Sequence, residues 1–466
     1  MYEEEEYYNQ PQEYDDSDLE LLENEVVPTL QEFTKTYWDS VNQALWNKAD
    51  FDKRALKIYF NKYSVPIPIL TDAINLDGLP EDHFLNRYTK YSGSRSDAYP
   101  EYNLLSGLMI LSCCANKDVK LMLAQGTIRP NLWVFLLGDS TVARKSTATK
   151  FAIDIINELN IIDLAPKSGS IQGVQEQLSE KESRVFQYID EASGIISSLN
   201  KRGEDGYREF LCDLYSNSSG KRRLAKGKDK QSEFEWKDAY FPAMWSTVPS
   251  SLFDRATPND VDGGLLYRFI ITNPGGLKDP MGFKMYTEDI DEDKAVIMTH
   301  VKRVQEYCKV PQIFTIDPEA LSYINRLQME YIKISNRRNE TLFNIVTSRL
   351  IERIFKISML LEIGRFKPNN HITLETTKQA AIIANMFLKD SYEICLNIMT
   401  RSKNSDLDKV RETIKMVHRI GRSELINKTR LTRRILDELI STLIEAELIK
   451  EVNDNSNRNK LYYEWC

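Results

Sequence analysis

The stretch that decides the fold is NLWVFLLGDSTVARKST, residues 131–147. It opens with an apolar run at 132–137, which has the length and composition of a buried strand. Gly138 and a short polar turn follow, and helix-forming residues begin near Lys145. A buried strand that leads through a glycine turn into a helix is typical of an α/β fold with a parallel sheet.

The turn at 138–147 is a candidate phosphate-binding loop. Such a loop needs backbone N–H groups that converge at a helix N-terminus, one lysine for the phosphates and one hydroxyl for Mg²⁺. The usual spacing is GxxxxGK[ST], with a glycine directly before the lysine. Here Lys145 stands seven positions after Gly138, one more than usual, and Ala143 and Arg144 occupy the place of the second glycine. The strict motif is therefore not met.

Two alignments of this loop stay open. In the first, the loop carries one extra residue, Lys145 contacts the β- and γ-phosphates and Ser146 binds Mg²⁺, with Thr147 as the fallback ligand. In the second, Arg144 takes the lysine position. We favour the first because it keeps the lysine and the hydroxyl adjacent; a plain strand–turn–helix with a basic cap is the alternative to nucleotide binding. The predicted nucleotide contacts are Gly138, Ser140, Ala143, Arg144, Lys145, Ser146 and Thr147.

Short apolar runs alternate with helical segments from 131 to about 275, which predicts a parallel sheet. The predicted strands are 132–137, Val185–Ile189, Ala243–Thr247 and 269–272. The second strand ends in Asp190 and Glu191, about 45 residues after the loop. We expect this strand to lie beside the phosphate loop, with Asp190 holding Mg²⁺ through water and Glu191 acting as the general base that orients attacking water.

The third strand ends in two hydroxyl residues, Ser246 and Thr247. A polar side chain at such a strand tip can position the attacking water or the γ-phosphate, which makes Thr247 a candidate catalytic residue. The alternative interpretation is a capped strand end with a purely structural role.

Four segments resemble, in their order and spacing, the AAA+-like P-loop ATPases of viruses, plasmids and other mobile elements, which are related to MCM and viral replicative helicases. They are NLWVFLLGDSTVARKSTA (131–148), FQYIDEASG (186–194), FLCDLYSNSSGKRRLAKGK (210–228) and GGLLYRFIITNP (263–274). The resemblance covers roughly residues 100–400, and the chain departs from the family pattern at Ala143, Arg144 and Lys145. It implies ATP and Mg²⁺ as cofactors, ATP hydrolysis, assembly into a homo-oligomeric ring, expected as a hexamer, and movement along DNA.

Arginines are the remaining candidates for the nucleotide chemistry. In ring ATPases an arginine stabilises transition-state charge on the nucleotide of the neighbouring subunit. Arg268, directly before the fourth strand, is the candidate for this role, and a surface arginine is the plain alternative. Arg349 and Arg353 are one helical turn apart, and either could act as a second sensor that contacts the γ-phosphate.

Two basic elements are candidate contacts to single-stranded or forked DNA. Residues 221–230 contain six cations in ten residues, and Gly220 and Gly227 predict a loop or hairpin that would face the channel of a ring; a solvated surface loop is the alternative. Residues 406–466 show the helix–turn–helix and hairpin pattern of a winged helix, a module that binds DNA or proteins. The predicted DNA contacts are Lys221, Arg222, Arg223, Lys226, Lys228, Arg430, Arg433 and Arg434.

The length of 466 residues predicts several domains. We place a disordered acidic tail at 1–25, a helical N-terminal domain at 26–128, the P-loop ATPase core at 129–275, a helical lid at 276–400, a linker at 401–406 and the winged helix at 406–466. The net charge is −8, but residues 1–25 carry eleven acidic and no basic side chains, so the remainder carries −8 + 11 = +3. A mildly basic body is compatible with nucleic acid binding.

Composition also indicates in which cellular compartment the protein works. No apolar run approaches the roughly 18 residues of a membrane span, and the acidic N-terminus lacks a signal-peptide core. The six cysteines form no CxxC pair, which indicates free thiols in a reducing compartment, and the four scattered histidines predict no zinc site. We therefore expect a protein of the host-cell cytoplasm that makes no contact with membranes.

The predicted fold is an α/β P-loop NTPase core of AAA+-like type with mostly helical N-terminal and lid regions and a C-terminal winged helix. The predicted function is that of an ATP-dependent, ring-forming DNA helicase or translocase for replication of a virus or mobile element. The alternative is an ATP-switched DNA-binding regulator, which would use the same nucleotide site without unwinding DNA. A transposition or packaging ATPase is a third interpretation.

Overall fold

The computed structural model describes residues 76–139, 143–165, 171–199, 205–216, 219–223, 233–275, 288–338, 341–429, 431–445, 448–454 and 460–465. The predicted acidic tail and the first part of the predicted N-terminal domain lie outside the described residues, and so do four predicted contacts, Ser140, Lys226, Lys228 and Arg430. Of Arg222 and Arg223 the structure describes only the strand to which they belong.

The first described elements are two helices, α1 (Phe84–Gly93) and α2 (Pro100–Cys114), and a hairpin of β1 (Val119–Leu123) and β2 (Gly126–Ile128). Proline begins α2 because its fixed φ suits the first helical position, where no N–H is needed. Every residue of α2 from Tyr102 onward is buried. This helix is therefore a core element, as a segment that is apolar on all sides requires.

The central part of the chain alternates strands and helices. In chain order its elements are β3 (Trp133–Leu137), α3 (Lys145–Glu158), β4 (Asp163–Leu164), α4 (Ile171–Glu180), β5 (Val185–Ile189), α5 (Ser193–Leu199), α6 (Asp205–Tyr215), β6 (Gly220–Arg223), β7 (Glu233–Trp236), β8 (Ala243–Thr247), α7 (Pro249–Arg255), α8 (Pro258–Asp262), a 3-10 turn (Leu266–Arg268) and β9 (Ile270–Thr272). Five of these strands form one parallel sheet in the order β4-β5-β8-β3-β9.

The strand β3 is buried at every position because helices cover both faces of the parallel sheet. Val134 and Leu136 point into a hydrophobic cluster that includes α1 and α2. Trp133, Phe135 and Leu137 point into a second cluster on the opposite face, formed with α5, α6 and β8. The strands predicted at Val185–Ile189 and Ala243–Thr247 are confirmed, and those predicted at 132–137 and 269–272 each begin one residue later.

A second, smaller sheet lies outside the parallel core. The elements after β9 are α9 (Glu288–Cys308), β10 (Gln312–Ile316), α10 (Pro318–Arg338), α11 (Thr341–Ile363), β11 (His371–Ile372), α12 (Leu374–Met386) and α13 (Leu388–Val417). The strand β10 pairs in parallel with both β1 and β11, which gives the order β11-β10-β1-β2. The first hydrophobic cluster extends from Leu79 to Tyr392. This cluster contains residues from both sides of the domain boundaries predicted at 128 and 275, and those boundaries stay predictions.

The linker predicted at 401–406 is wrong, because α13 continues through it without a break. The segment is polar, but it contains neither glycine nor proline, the two residue types that destabilise a helix most. The polar residues that it does contain cost a helix little. The helix ends at Val417, and His418 then adopts a left-handed φ of 62°. The first helix of the predicted winged-helix segment 406–466 is thus the last part of a longer one.

The remaining elements are β12 (Arg419–Gly421), α14 (Arg422–Thr429), α15 (Arg433–Glu445), β13 (Ile449–Asp454) and β14 (Lys460–Trp465). The three strands form an antiparallel sheet in the order β12-β14-β13, and β12 was not predicted from the sequence. The apolar residues of these strands, of α14 and α15 and of the end of α13 form a third hydrophobic cluster.

Candidate functional site

The candidate site lies at the edge of the parallel sheet where the strands end. The chain leaves β3 at Gly138 and enters α3 at Lys145. A Cβ atom at position 138 would lie 2.4 Å from the Tyr102 hydroxyl oxygen and 2.7 Å from Ala143 Cβ. The Tyr102 hydroxyl is held there because it donates a hydrogen bond to the Leu137 carbonyl oxygen at 2.5 Å. Gly138 is therefore a packing requirement for this loop, and sequence reasoning missed Tyr102 because it lies on α2.

Arg144 adopts the left-handed conformation, with φ 56° and ψ 29°, directly before α3. This is the position at which the usual motif has glycine, and left-handed φ explains why glycine is suited to it. The Arg144 side chain turns toward Asp97 and donates a hydrogen bond from Nε to Oδ1 at 3.2 Å. Asp97 stands 47 residues earlier in the chain, so local sequence patterns could not reveal this partner.

Lys145 differs from Arg144 in its burial, with only 8% of the residue exposed. Its ammonium group donates a hydrogen bond to the Gly138 carbonyl oxygen, across the loop. Burial lowers the pKa of Lys145, and the carboxylates of Glu191, Asp190 and Asp139 act against that shift. The lysine side chain therefore lies inside the loop, beside the acidic pair, whereas Arg144 is directed away to Asp97.

Ser146, the first hydroxyl of α3, meets the acidic strand. Its Oγ donates to the two carboxylate oxygens of Asp190 at 3.1 and 3.3 Å. Ser246 Oγ, at the tip of β8, donates to the Asp190 carbonyl oxygen at 2.6 Å and lies 3.1 Å from its Oδ1. Ser146 rather than Thr147 makes the contact with Asp190 within the described residues. A carboxylate and two hydroxyls thus converge on one point.

Glu191 is held by the neighbouring strand tip, since the Thr247 hydroxyl donates a hydrogen bond to its Oε1. Partial burial raises the pKa of Glu191, but hydrogen bonds from Ser193 and Thr247 and the charge of Lys145 together lower it below its usual value. The carboxylate is thus ionised at neutral pH and oriented by a fixed partner.

The strand order differs from our expectation in one respect. We expected the acidic strand beside the phosphate loop, but β8 lies between β3 and β5. The Trp245 indole donates to the Gln187 side-chain oxygen at 2.9 Å, and the Ala192 N–H donates to the Ser246 carbonyl oxygen at 2.8 Å. These bonds fix β8 against β5, so that Ser246 and Thr247 stand next to the acidic pair.

Tyr188 and Thr149 are further polar residues at this edge that sequence reasoning missed. The Thr149 hydroxyl, on α3, lies 3.1 Å from the Tyr188 hydroxyl, on β5. Burial raises the pKa of Tyr188, so its hydroxyl stays protonated near neutral pH. The contact ties the first turns of α3 to the acidic strand.

Arg268 lies at the other end of the parallel strands, on the side of the sheet where the strands begin. It precedes β9, which runs parallel to β3 with Ile270 opposite Val134. Gly138 lies beyond the far end of β3, four residues past Val134, or roughly 13 Å along the strand at ~3.3 Å per residue. The Arg268 guanidinium donates from Nη1 to the Gly264 carbonyl oxygen at 2.6 Å, and lies 5.8 Å from the centre of the Tyr215 ring.

The two arginines considered as second sensors have different surroundings. Arg349 pairs with Glu352 at 2.8 Å and is 30% exposed. Arg353 is completely buried, and its Nη2 donates to the backbone carbonyl oxygens of Tyr267 and Phe269. A γ-phosphate contact by Arg353 is therefore excluded in this conformation.

The predicted basic segment begins as a hairpin. β6 pairs with β7 in antiparallel fashion, and Lys221, more than half exposed, pairs with Glu233 at 3.0 Å. Near the C-terminus, Arg433 and Arg434 begin α15 and both side chains are exposed. Arg434 lies 3.8 Å from Glu438 on the same helix, a contact that solvent screens almost entirely.

The described residues contain no cluster of three or more His, Cys, Asp or Glu side chains able to hold a metal ion. The five cysteines within the described ranges are free and buried. None of the described helices combines the length and the apolar character needed to cross a bilayer.

Comparison with known proteins identifies a structural likeness only. No protein-family model matches the sequence, and no curated protein is similar to it at a significant level. Among solved structures, the chain is similar to a full-length MCM homologue from Methanopyrus kandleri, with a TM-score of 0.39 and 12% sequence identity. The match covers 70% of this chain and 64% of that homologue.

The left-handed conformation of Arg144 leads to a prediction about the stability of two variants. A left-handed conformation costs an L-residue about 1–2 kcal/mol, whereas glycine adopts it freely but loses about 0.5–1 kcal/mol in chain entropy. The partly exposed ion pair with Asp97 adds at most about 1 kcal/mol. We expect Arg144→Gly to change the free energy of unfolding by less than about 1 kcal/mol, and Arg144→Ala to be less stable than Arg144→Gly. Urea denaturation measures both.

The same two variants report on phosphate binding. If Lys145 makes the phosphate contact, Arg144→Gly and Arg144→Ala bind ATP as the wild type does. A loss of ATP affinity in both, with the fold intact, would instead support the alignment in which Arg144 holds the phosphates.

Proposed function

We propose that this protein is an ATP- and Mg²⁺-dependent DNA helicase or translocase that works as a homo-oligomeric ring, expected as a hexamer. The convergence of Lys145, Ser146, Asp190 and Glu191 at the carboxyl edge of the parallel sheet carries the proposal. Ligands of open α/β sheets bind at this edge, and these four side chains are the types that phosphoryl transfer requires. The likeness of four sequence segments to ATPases of viruses and mobile elements supports a replicative role in the host-cell cytoplasm.

The residues present fit a nucleotide with its magnesium ion. Mg²⁺ prefers oxygen donors and is usually held by one or two protein groups together with phosphate oxygens. The Ser146 hydroxyl and the Asp190 carboxylate, 3.1 Å apart, form such a donor pair. Bound there, Mg²⁺ would neutralise charge that develops on the phosphates. Lys145 would exchange its hydrogen bond to the Gly138 carbonyl for one to a phosphate oxygen, and the N–H groups at the start of α3 would face the same anion.

Glu191 and Thr247 would handle the attacking water. The Glu191 carboxylate accepts hydrogen bonds from Thr247 and Ser193, which hold it in place. An ionised carboxylate has about four acceptor sites on its two oxygens, so it can accept a further hydrogen bond from water. Its low pKa keeps it ionised, so it can orient the water and take up a proton as the bond to phosphorus forms. Ser246 keeps Asp190 in place beside it.

Arg268 cannot reach the phosphate loop of its own subunit, because the two lie at opposite edges of the sheet. An arginine at this edge can serve catalysis only at the nucleotide of a neighbouring subunit. We therefore propose that Arg268 stabilises transition-state charge in the adjacent site, and that ring assembly completes each site.

Two elements support contact with DNA. The cationic segment 221–230 begins on β6, which pairs with β7 between the acidic strand and the Ser-Thr strand in the chain, and Lys221 is exposed there. The C-terminal elements share a hydrophobic cluster of their own and follow the strand and helix order of a winged helix. They are the last part of α13, β12, α14, α15 and the β13–β14 hairpin. We propose that the hairpin holds the phosphate backbone and that Arg433 and Arg434 on α15 contact a duplex.

Two measurements on the wild-type protein test this function. The native mass should correspond to a closed ring, expected at six subunits, and ATP with Mg²⁺ should drive unwinding of a forked DNA whose strands carry separable labels. ATP hydrolysis should rise when DNA is added. A strict monomer whose ATP hydrolysis ignores DNA would contradict the proposal. A ring that binds DNA and ATP without strand separation would favour the ATP-switched regulator instead.

A further inference from the structure

One arginine is buried in the core, where its hydrogen bonds go to backbone carbonyl groups rather than to a carboxylate. Arg353, on α11, is only 1% exposed and is among the largest fully buried side chains in the described part of the chain. Its Nη2 donates to the Tyr267 carbonyl oxygen at 2.6 Å and to the Phe269 carbonyl oxygen at 2.5 Å. Its Nε and Nη1 are buried and have no hydrogen-bond partner among the described residues.

Stability alone does not account for this residue. Burial of a guanidinium carries a large desolvation penalty, which two neutral carbonyl groups and the nearby charge of Glu352 offset only in part. Burial accordingly lowers the pKa of Arg353. An apolar residue of similar size would fill the same space without unpaired N–H groups. What Arg353 adds is therefore a geometric constraint on the backbone that it contacts.

The constrained segment carries Arg268. The Tyr267 carbonyl belongs to the peptide plane before Arg268, and the Phe269 carbonyl belongs to the plane after Phe269. One guanidinium thus fixes the backbone on both sides of the candidate trans-acting arginine, at the point where the 3-10 turn passes into β9. Carbonyl groups at the end of such a turn have no partner within it, and Arg353 supplies the donors.

The Arg268 side chain is confined as well. Its Nη1 donates to the Gly264 carbonyl oxygen, and Gly264 has φ +88°. A Cβ atom at Gly264 would lie 2.3 Å from Arg268 Nη1. Arg353 holds the backbone around Arg268, and the Arg268 guanidinium lies against Gly264. The position of the Arg268 side chain is therefore closely restricted.

We propose that Arg353 is a positioning residue, which acts through Arg268 on the nucleotide of the neighbouring subunit. This inference rests on the proposed function, and specifically on the role of Arg268 in trans. Arg353 itself contacts neither nucleotide nor DNA.

The test compares Arg353→Met and Arg353→Lys with Arg268→Ala in the full-length protein. Loss of a trans-acting arginine lowers kcat by about 10³–10⁵-fold, and a misplaced group by about 10–100-fold. We expect Arg353→Met to lower kcat for ATP hydrolysis by about 10–100-fold with unchanged ATP affinity, because the phosphate loop is intact. Arg353→Lys should recover part of the loss, and Arg353→Met should add nothing in an Arg268→Ala background.

A matched control separates positioning from stability. Arg184 also donates its side-chain N–H groups to backbone carbonyls, those of Cys113, Ala115 and Ile161, away from Arg268. Arg184→Met should reduce the melting temperature without a selective loss of kcat. If Arg184→Met and Arg353→Met lower kcat alike at equal loss of stability, Arg353 is structural only and the inference is wrong.

A subunit-mixing experiment measures the action in trans. A Lys145→Ala subunit lacks the lysine for nucleotide but keeps Arg268 and Arg353, whereas an Arg353→Met subunit keeps its own phosphate loop. Mixed rings should hydrolyse ATP faster than the sum of the two separate variants, and a mixture with no such gain overturns the inference. If Arg268→Ala itself keeps the wild-type kcat, the proposed trans role of Arg268 fails. If Arg268→Ala is impaired but folded Arg353→Met and Arg353→Lys are not, only the inference about Arg353 fails.

Discussion

Glu191→Gln is expected to lower kcat for ATP hydrolysis by about 100- to 10,000-fold while ATP and DNA still bind. Glutamine has the same shape, and its side-chain oxygen can still accept the hydrogen bond that Thr247 donates to Glu191. It cannot take up a proton from the attacking water or bear the charge that orients it. The variant should therefore keep its fold and its nucleotide site and lose the chemical step.

The measurements are single-turnover ATP hydrolysis, ATP and DNA affinity, and unwinding of forked DNA. Glu180→Gln, a change of the same kind at an exposed position on α4, serves as the control and should match the wild type. A helicase must lose unwinding in Glu191→Gln while it retains binding. If every DNA-dependent activity survives, the helicase proposal is wrong, and the ATP-switched regulator explains the same nucleotide site.

The parts of the site that lie within one short segment could be predicted from the sequence. The apolar run before Gly138, the adjacent Lys145 and Ser146 and the strand that ends in Asp190 are local patterns with periods that indicate strand or helix. Parallel strands present their ends at one edge, so the approach of Ser146 to Asp190 follows from the predicted sheet alone.

The contacts that connect distant segments could not be predicted in this way. Tyr102 at Gly138, Asp97 at Arg144 and Arg353 at the backbone around Arg268 each belong to a distant part of the chain, and no local pattern marks these contacts. The position of β8 between β3 and β5 is likewise a matter of topology. The same holds for the small sheet in which β10 joins β1, although about 190 residues separate them in the chain.

The irregular phosphate loop has a structural explanation in Arg144. The residue before the lysine adopts a left-handed conformation, as glycine would, and the strain is offset in part by the contact with Asp97. The departure from the usual motif thus lies at a residue whose side chain points away from Lys145, and the lysine retains its place among the carboxylates.

Lys145→Ala is the second large effect that we expect. Removal of one partner from a buried, charge-assisted contact costs about 2–5 kcal/mol, which corresponds to roughly 30- to several-thousand-fold weaker binding of ATP. The change also removes the cation beside Glu191 and Asp190. Lys150→Ala, at an exposed lysine on the same helix, is the matched control and should leave the activity unchanged.

The most direct test of the nucleotide site is therefore the steady-state rate of Mg²⁺-dependent ATP hydrolysis, with and without forked DNA, for the wild type, Lys145→Ala and Lys150→Ala. We predict DNA-stimulated hydrolysis in the wild type and in Lys150→Ala, and none above background in a folded Lys145→Ala. Hydrolysis at the wild-type rate in Lys145→Ala would contradict a phosphate-binding site at residues 138–147.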